Sequence, residues 1–222
     1  MASGNLKNLD GYKASLDSLG LVVYNEEKNK EERKMKVVAF NGSPRKDGNT
    51  FILINYVFRE LEKEGIETEL VQLSGKEIRG CIACYKCIEN KDQRCSVKND
   101  FANECIEKMI GSDGIILGSP TYFTDVTAEM KALIDRAGFV SRANGWMFKN
   151  KVGAAVVAVR RAGASHTLDT INHFLLGSQM VVPGVGIGFG MSKGDVEKDE
   201  EGIQGVKMVG QRMAWVLKKL DG

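Results

Sequence analysis

The sequence predicts an α/β fold: one doubly wound sheet of five parallel strands, with helices on both faces. Three observations predict it. Short apolar runs alternate with amphipathic helical stretches from residue 35 onward. Parallel strands need crossover connections, and crossovers are right-handed, which covers both faces of the sheet. At 222 residues and 43% hydrophobic, the chain can bury a full core.

The elements follow in order. Residues 35–41, MKVVAFN, form a β-rich apolar run that reads as a buried strand. In FILINYVFRELEKEG, Ile54, Val57, Phe58 and Leu61 share one helical face, and Gly65 is a stop. Residues 66–73 alternate as a strand does. A cysteine-rich segment comes next, then a helix over 100–111 with Asp100 as its cap. Strands are predicted at 113–119, 151–159 and 179–185, and helices at 126–138, 165–178 and 202–220. The glycine-rich stretch 183–195, PGVGIGFGMSKGD, reads as a flexible loop. Residues 1–34 read as an N-terminal extension ahead of a single domain at 35–222. Within the extension, residues 16–24 suit a short helix or strand, and the charge run 25–34 suits a solvated linker. No chemistry is assigned to it.

Charge and hydropathy exclude several classes. A net charge of +2 is too weak a field to argue for nucleic acid or an anionic membrane. The N-terminus lacks a charged start followed by an apolar run, so no signal peptide is read. The longest apolar stretch, VGAAVVAV, is far short of the ~20 residues of a membrane span. The expected compartment is the cytoplasm, where clustered cysteines read first as metal-binding or redox-active.

In an open α/β sheet, ligands bind at the carboxyl ends of the strands. The first such loop, NGSPRKDGNT, runs into a helix N-terminus, where free N–H groups and the helix dipole favour an anion. Ser43 and Thr50 offer hydroxyls, Asn49 an amide and Arg45 a charge. The loop matches neither the Walker A nor the GxGxxG pattern. Its plainer reading is a strand-to-helix turn capped by Asn49 or Thr50. A second loop, GSPTYFTDVT, places aromatics and a proline where a flat ring would lie; alternatively, Tyr122 and Phe123 are packing residues. A third, VRRAGASH, brings two arginines to the same edge, or merely a solvated rim.

Cys81, Cys84, Cys87 and Cys95 follow C-x2-C-x2-C-x7-C, four of the chain's five cysteines. Four thiolates are the usual complement of a [4Fe–4S] cluster. Zinc also takes four, though zinc sites usually pair two C-x2-C knuckles across a longer loop. Free or disulfide-bonded thiols are the third option. Cys105, among Phe101, Ile106, Met109 and Ile110, reads as a buried inert thiol. His166 and His173 lie ~10 Å apart along a helix and read as ordinary residues. Asp125 and Glu129 read as surface charges. No side chain is singled out as catalytic.

GSPRKDGNT, SPTYFTDVTAEMKALIDR and VRRAGASHTLDTINHFLL, in this order, resemble the flavodoxin-like NAD(P)H-dependent FMN reductases. The compact cysteine run resembles their iron-sulfur flavoprotein branch, and the likeness spans about residues 35–220. The resemblance implies an FMN phosphate held by Ser43, Arg45, Asn49 and Thr50. It implies an isoalloxazine lined by Pro120, Thr121, Tyr122 and Phe123, with Arg160, Arg161, Gly163 and Ala164 on the other side. It also implies a [4Fe–4S] cluster on Cys81, Cys84, Cys87 and Cys95, in a loop at 80–97. The family pattern adds a ferredoxin-like donor, NAD(P)H as a further candidate, and a homodimer or homotetramer. Two departures stand out: the extension lies outside the pattern, and the x7 spacing is long for it. The competing readings are an NAD(P)H-dependent FMN or quinone reductase without a cluster, and a redox-sensing or metal-binding module.

Overall fold

The computed structural model describes residues 12–16, 22–26 and 34–221. The chain divides into two units, Met1–Arg33 and Lys34–Gly222. In the first, β1 (Tyr12–Leu16) and β2 (Val22–Glu26) pair antiparallel, with Leu16 opposite Val22 and Tyr12 opposite Glu26. Residues 17–21, and residues 27–33 of the charge run, lie outside the described residues.

The second unit alternates as the periodicity predicts. Its elements are β3 (Lys36–Asn41), α1 (Asn49–Lys63), β4 (Glu67–Gln72), α2 (Lys86–Asn90), α3 (Ala102–Ile110) and β5 (Gly114–Pro120), followed by α4 (Ala128–Ala143), β6 (Val152–Val159), α5 (Ala164–Gly177), β7 (Val185–Phe189) and α6 (Glu200–Asp221). The five strands β3 to β7 are parallel, in the order β4-β3-β5-β6-β7. From β3 the chain steps outward to β4 and then returns to β5 on the other side. The topological switch point therefore lies between β3 and β5.

Strand alternation divides the core. Val37 and Ala39 face α1 and α6 with Leu53, Val57, Val206 and Met213. Val38 and Phe40 face α3, α4 and α5 with Ile106, Leu133 and Ile171. All eight residues of β6 are buried, as in a sheet covered on both sides. No helix among the described residues is long and apolar enough to cross a membrane.

The fifth strand corrects the expectation. The apolar run 179–185 makes only one isolated parallel bridge ahead of β7, between Val181 and Val152. The strand itself is β7, inside the stretch read as a flexible loop. Its glycines serve packing. A Cβ on Gly186 would lie 2.5 Å from Val206 Cγ1, and one on Gly188 would lie 2.7 Å from Leu53 Cδ2. Both glycines project to one face, so α1 and α6 sit close against the strand.

Candidate functional site

The loop after β3 is fastened before it reaches α1. Gly42 N donates to Gly118 O at 2.7 Å, and Thr127 Oγ1 donates to Gly42 O at 2.9 Å. Asn41 Nδ2 donates to Gln72 Oε1 at 2.8 Å, and Gln72 Nε2 donates to Ser43 O at 2.6 Å. Asn41 Oδ1 accepts from Ser43 N, and Ser43 Oγ from Arg45 N. The first turn of α1 then presents its backbone N–H groups at the end of the loop.

A cavity of about 220 Å³ opens there, at the carboxyl ends of β3, β5 and β6. Ser43, Arg45, Asn49 and Thr50 form one wall, Pro120, Thr121 and Tyr122 a second, and Arg160 stands at the rim. The structure thus brings together eight of the twelve residues expected at a flavin. Ala158, Gly190 and Met191 complete the lining. Register places Ala158 beside Pro120 at the strand ends, a signal that strand pairing alone supplies. Gly190 and Met191 follow β7 and were hidden by the misplaced fifth strand.

Two of the expected phosphate ligands differ sharply. Thr50 is 1% exposed, and its hydroxyl is buried with no hydrogen-bond partner among the described residues. Such a group calls for an acceptor or donor from outside the chain. Asn49 is already engaged: Nδ2 donates to Ser192 O and Oδ1 accepts from Gly194 N, both at 2.9 Å. Together with a Lys193–Asp47 ion pair, it ties residues 192–194 to the loop.

Four expected residues stand outside the lining. Phe123 is fully exposed at the tip of a tight turn closed by Tyr122 and Asp125, with Phe123 at φ 48 and Thr124 at φ 68. Arg161 is exposed. Gly163, at φ 90, precedes α5, and a Cβ there would meet Thr124 Cα at 2.9 Å. Ala164 is buried in the core. Asp125 accepts from Thr170 Oγ1 at 2.7 Å and lies 3.7 Å from His166 Nε2, a positioning contact for the turn.

The other chemistry-bearing segment leaves β4 at the same end of the sheet. Cys81, Cys84, Cys87 and Cys95 line one pocket. Left-handed residues shape it: Ala83 (φ 50) and Tyr85 (φ 56) flank Cys84, and Lys91 (φ 50) and Gln93 (φ 62) turn the chain from α2 back to Cys95. Each such residue costs about 1–2 kcal/mol, strain that is found mainly at functional sites. Cys87 and Cys95 pack against the core, while Cys81 and Cys84 are exposed. Asn103 anchors the last cysteine: Oδ1 accepts from Cys95 N at 2.7 Å, and Nδ2 donates to Cys95 O at 2.9 Å and Val97 O at 3.1 Å.

Behind the pocket lies Arg136, ion-paired to Asp100. Asp100, expected to cap α3, meets that helix only through a 3.3 Å bond from Ala102 N to its Oδ1; the N-cap position is Phe101. Its Oδ2 serves Arg136 and the backbone N–H of Arg79 instead. Despite the cost of burial, these donors hold the Asp100 carboxyl below the usual carboxylate range. The Ser96 hydroxyl and the Lys86 N–H lower the Cys84 thiol from its ordinary value, whereas burial raises Cys87. Cys105 is fully buried and pushed up to about 12 by desolvation, as an inert thiol should be. No group of three or more His, Cys, Asp or Glu among the described residues is arranged to hold a single metal ion. The space between the four thiols is narrow, about 20 Å³. The stretch 79–86 beside it is exposed.

Residues 35–192 match the family model of the NADPH-dependent FMN reductases. The chain belongs to that family. An iron-sulfur flavoprotein of Methanocaldococcus jannaschii is 38% identical over 194 residues, covering 83% of this chain and 98% of the relative. One from Methanosarcina thermophila is 35% identical over 190 residues, covering 84% and 97%. These relatives place the chain in the iron-sulfur flavoprotein branch, among flavin-dependent oxidoreductases. Among solved structures, RosB aligns with a TM-score of 0.65 at 18% identity, covering 84% of this chain and 80% of that one. The NAD(P)H:quinone oxidoreductase of Methanothermobacter marburgensis aligns at 0.60 and 15%, covering 82% and 96%. At such identities these two show the flavodoxin-like fold alone.

Proposed function

We propose that this FMN reductase family member binds FMN in the 220 Å³ cavity and a [4Fe–4S] cluster on Cys81, Cys84, Cys87 and Cys95, and passes electrons between them. The observation that carries the reading is one of place. An anion-ready cavity with an orphan hydroxyl and a pocket of four thiols lie at the same end of one parallel sheet.

The residues present fit both groups. Thr50 and the N–H groups of the first turn of α1 donate to the phosphate, and Arg45 neutralises it. Pro120, Thr121 and Tyr122 offer a stiff wall for a flat ring, and Ala158 leaves it room. The four cysteines supply a thiolate set suited to iron and sulfide. When bound, FMN supplies one- or two-electron chemistry and the cluster single-electron transfer. The chain's part is to position both, to hold their charge and to keep thiol anions available, as Ser96 does for Cys84. Exposed Ile82, Tyr85, Ile88 and Phe139 flank the thiol pocket and support assembly with a second copy. A ferredoxin-like protein or NAD(P)H is the proposed donor.

Anaerobic purification with metal, sulfide and flavin analysis tests this reading. It expects FMN with about four irons and four sulfides per chain. FMN with neither iron nor sulfide leaves a plain FMN or quinone reductase, and protein holding none of these overturns the reading altogether. Stopped-flow reduction by ferredoxin and by NADPH, run side by side, identifies the donor.

A further inference from the structure

We propose that Arg136 is a positioning residue for the cysteine pocket: its buried guanidinium clips both ends of the cysteine run and offers its unpartnered Nε–H to sulfur held there. This rests on the cluster reading above.

The buried face of α4 carries Met130, Leu133, Ala137 and Val140. Arg136 sits beside that stripe and is 1% exposed. A buried cation is costly unless it is paired and hydrogen-bonded. Two of its nitrogens are accounted for. Nη1 donates to Asp100 Oδ2 and to Arg79 O, and Nη2 donates to Val97 O at 2.9 Å. Arg79 and Val97 bracket the run from Cys81 to Cys95, so one planar group joins its two ends.

The third nitrogen is the informative one. Nε is buried and has no partner among the described residues. An unmet buried donor is expensive, and native proteins seldom keep one without a reason. Arg136 lines the pocket together with the four cysteines. Four of the pocket's lining side chains end in sulfur, an acceptor for that N–H. A charge-assisted N–H···S bond favours the more negative, reduced form of a cluster and so raises its potential. Asp100 opposes this by offsetting part of the positive charge. The two residues therefore act on the potential with opposite sign, which a purely structural pair would not do.

The test uses the whole protein, purified anaerobically and reduced, from cells fed arginine labelled with 15N in the guanidino group. Pulsed EPR on the reduced cluster should detect a 15N coupling that disappears in Arg136→Gln. The guanidinium groups of Arg79 and Arg94 are paired with Glu77 and Glu107, so Arg136 is the expected source. An EPR-monitored redox titration should show Arg136→Gln shifting the one-electron equilibrium about tenfold toward oxidised cluster, or 59 mV. Asp100→Asn should shift it the other way, with the FMN potential unmoved in both. An intact cluster signal without guanidino coupling in the unaltered protein overturns the role of Arg136, whether or not the variants fold. So does a shift of the same sign in both variants. Wild-type protein without iron overturns the cluster reading itself, and this inference with it.

Discussion

The loop after β3 and the loop after β4 leave neighbouring strands at the same end of the sheet, yet they are built in opposite ways. The first is tied down by Asn41, Gln72, Ser43 and Thr127 through bonds of 2.6 to 3.2 Å, and it runs straight into α1. The second is exposed along 79–86, bends through left-handed non-glycine residues and is fastened at its ends by Arg136 and Asn103. The sheet itself makes the first site. Side-chain clamps add the second, which gathers four free thiols around one pocket. Preorganisation therefore differs: the cavity is braced by its own hydrogen bonds, while the cysteine loop is held mainly at its two ends.

Three experiments break or sharpen this contrast. The largest effect is expected from Cys84→Ala, which removes one of four thiolates. Iron content should fall roughly tenfold or more, with FMN affinity almost unchanged. Coupled loss of both cofactors, measured on one preparation, would show that the two sites are not separable. Next is Thr50→Val, which keeps the shape and deletes the orphan hydroxyl. FMN affinity should fall about 10- to 100-fold, since a hydrogen bond to a charged group is worth ~1.5–3 kcal/mol. Thermal unfolding of the FMN-free variant should occur at the same temperature or slightly above, because an unsatisfied buried group is gone. A clear fall in that temperature would mean Thr50 serves the fold. The smallest effect concerns the fifth cysteine. In cluster-free native protein, iodoacetamide at pH 8 should modify exposed Cys81 and Cys84 and spare Cys105 until denaturant is added. The buried Cys105 thiol keeps its proton up to about 12, while the unfolded chain releases it near 9.0. Stability should therefore decline as pH rises from 9 toward 12, and Cys105→Ala should flatten that slope.

Much of this was legible in the sequence, because periodicity reports burial directly. Val37 to Phe40 alternate between two core layers, and Ile54, Val57 and Leu61 recur at helical spacing. The fifth strand was not legible. Gly186 and Gly188 look like flexibility until Leu53 and Val206 are seen pressed against them. The first loop was readable from Ser43 to Thr50, since hydroxyls before a helix have a known use. Ala158, Gly190 and Met191 reach the cavity through strand register, which no local pattern encodes. Cysteine spacing announced the thiol pocket. The Arg136–Asp100 pair behind it joins residues 36 positions apart, and from the sequence alone Asp100 reads as a helix cap and Arg136 as one charge within a predicted helix.

The cavity wall draws on residues 43 to 50, 120 to 122, 158 to 160 and 190 to 191, so it is finished only when β7 docks. The cysteine run and its clamp are complete once residue 136 has been made. During synthesis the chain emerges N-terminal end first. The four thiols and the arginine behind them are therefore made well before the last wall of the cavity exists, so the two sites are finished at opposite ends of translation.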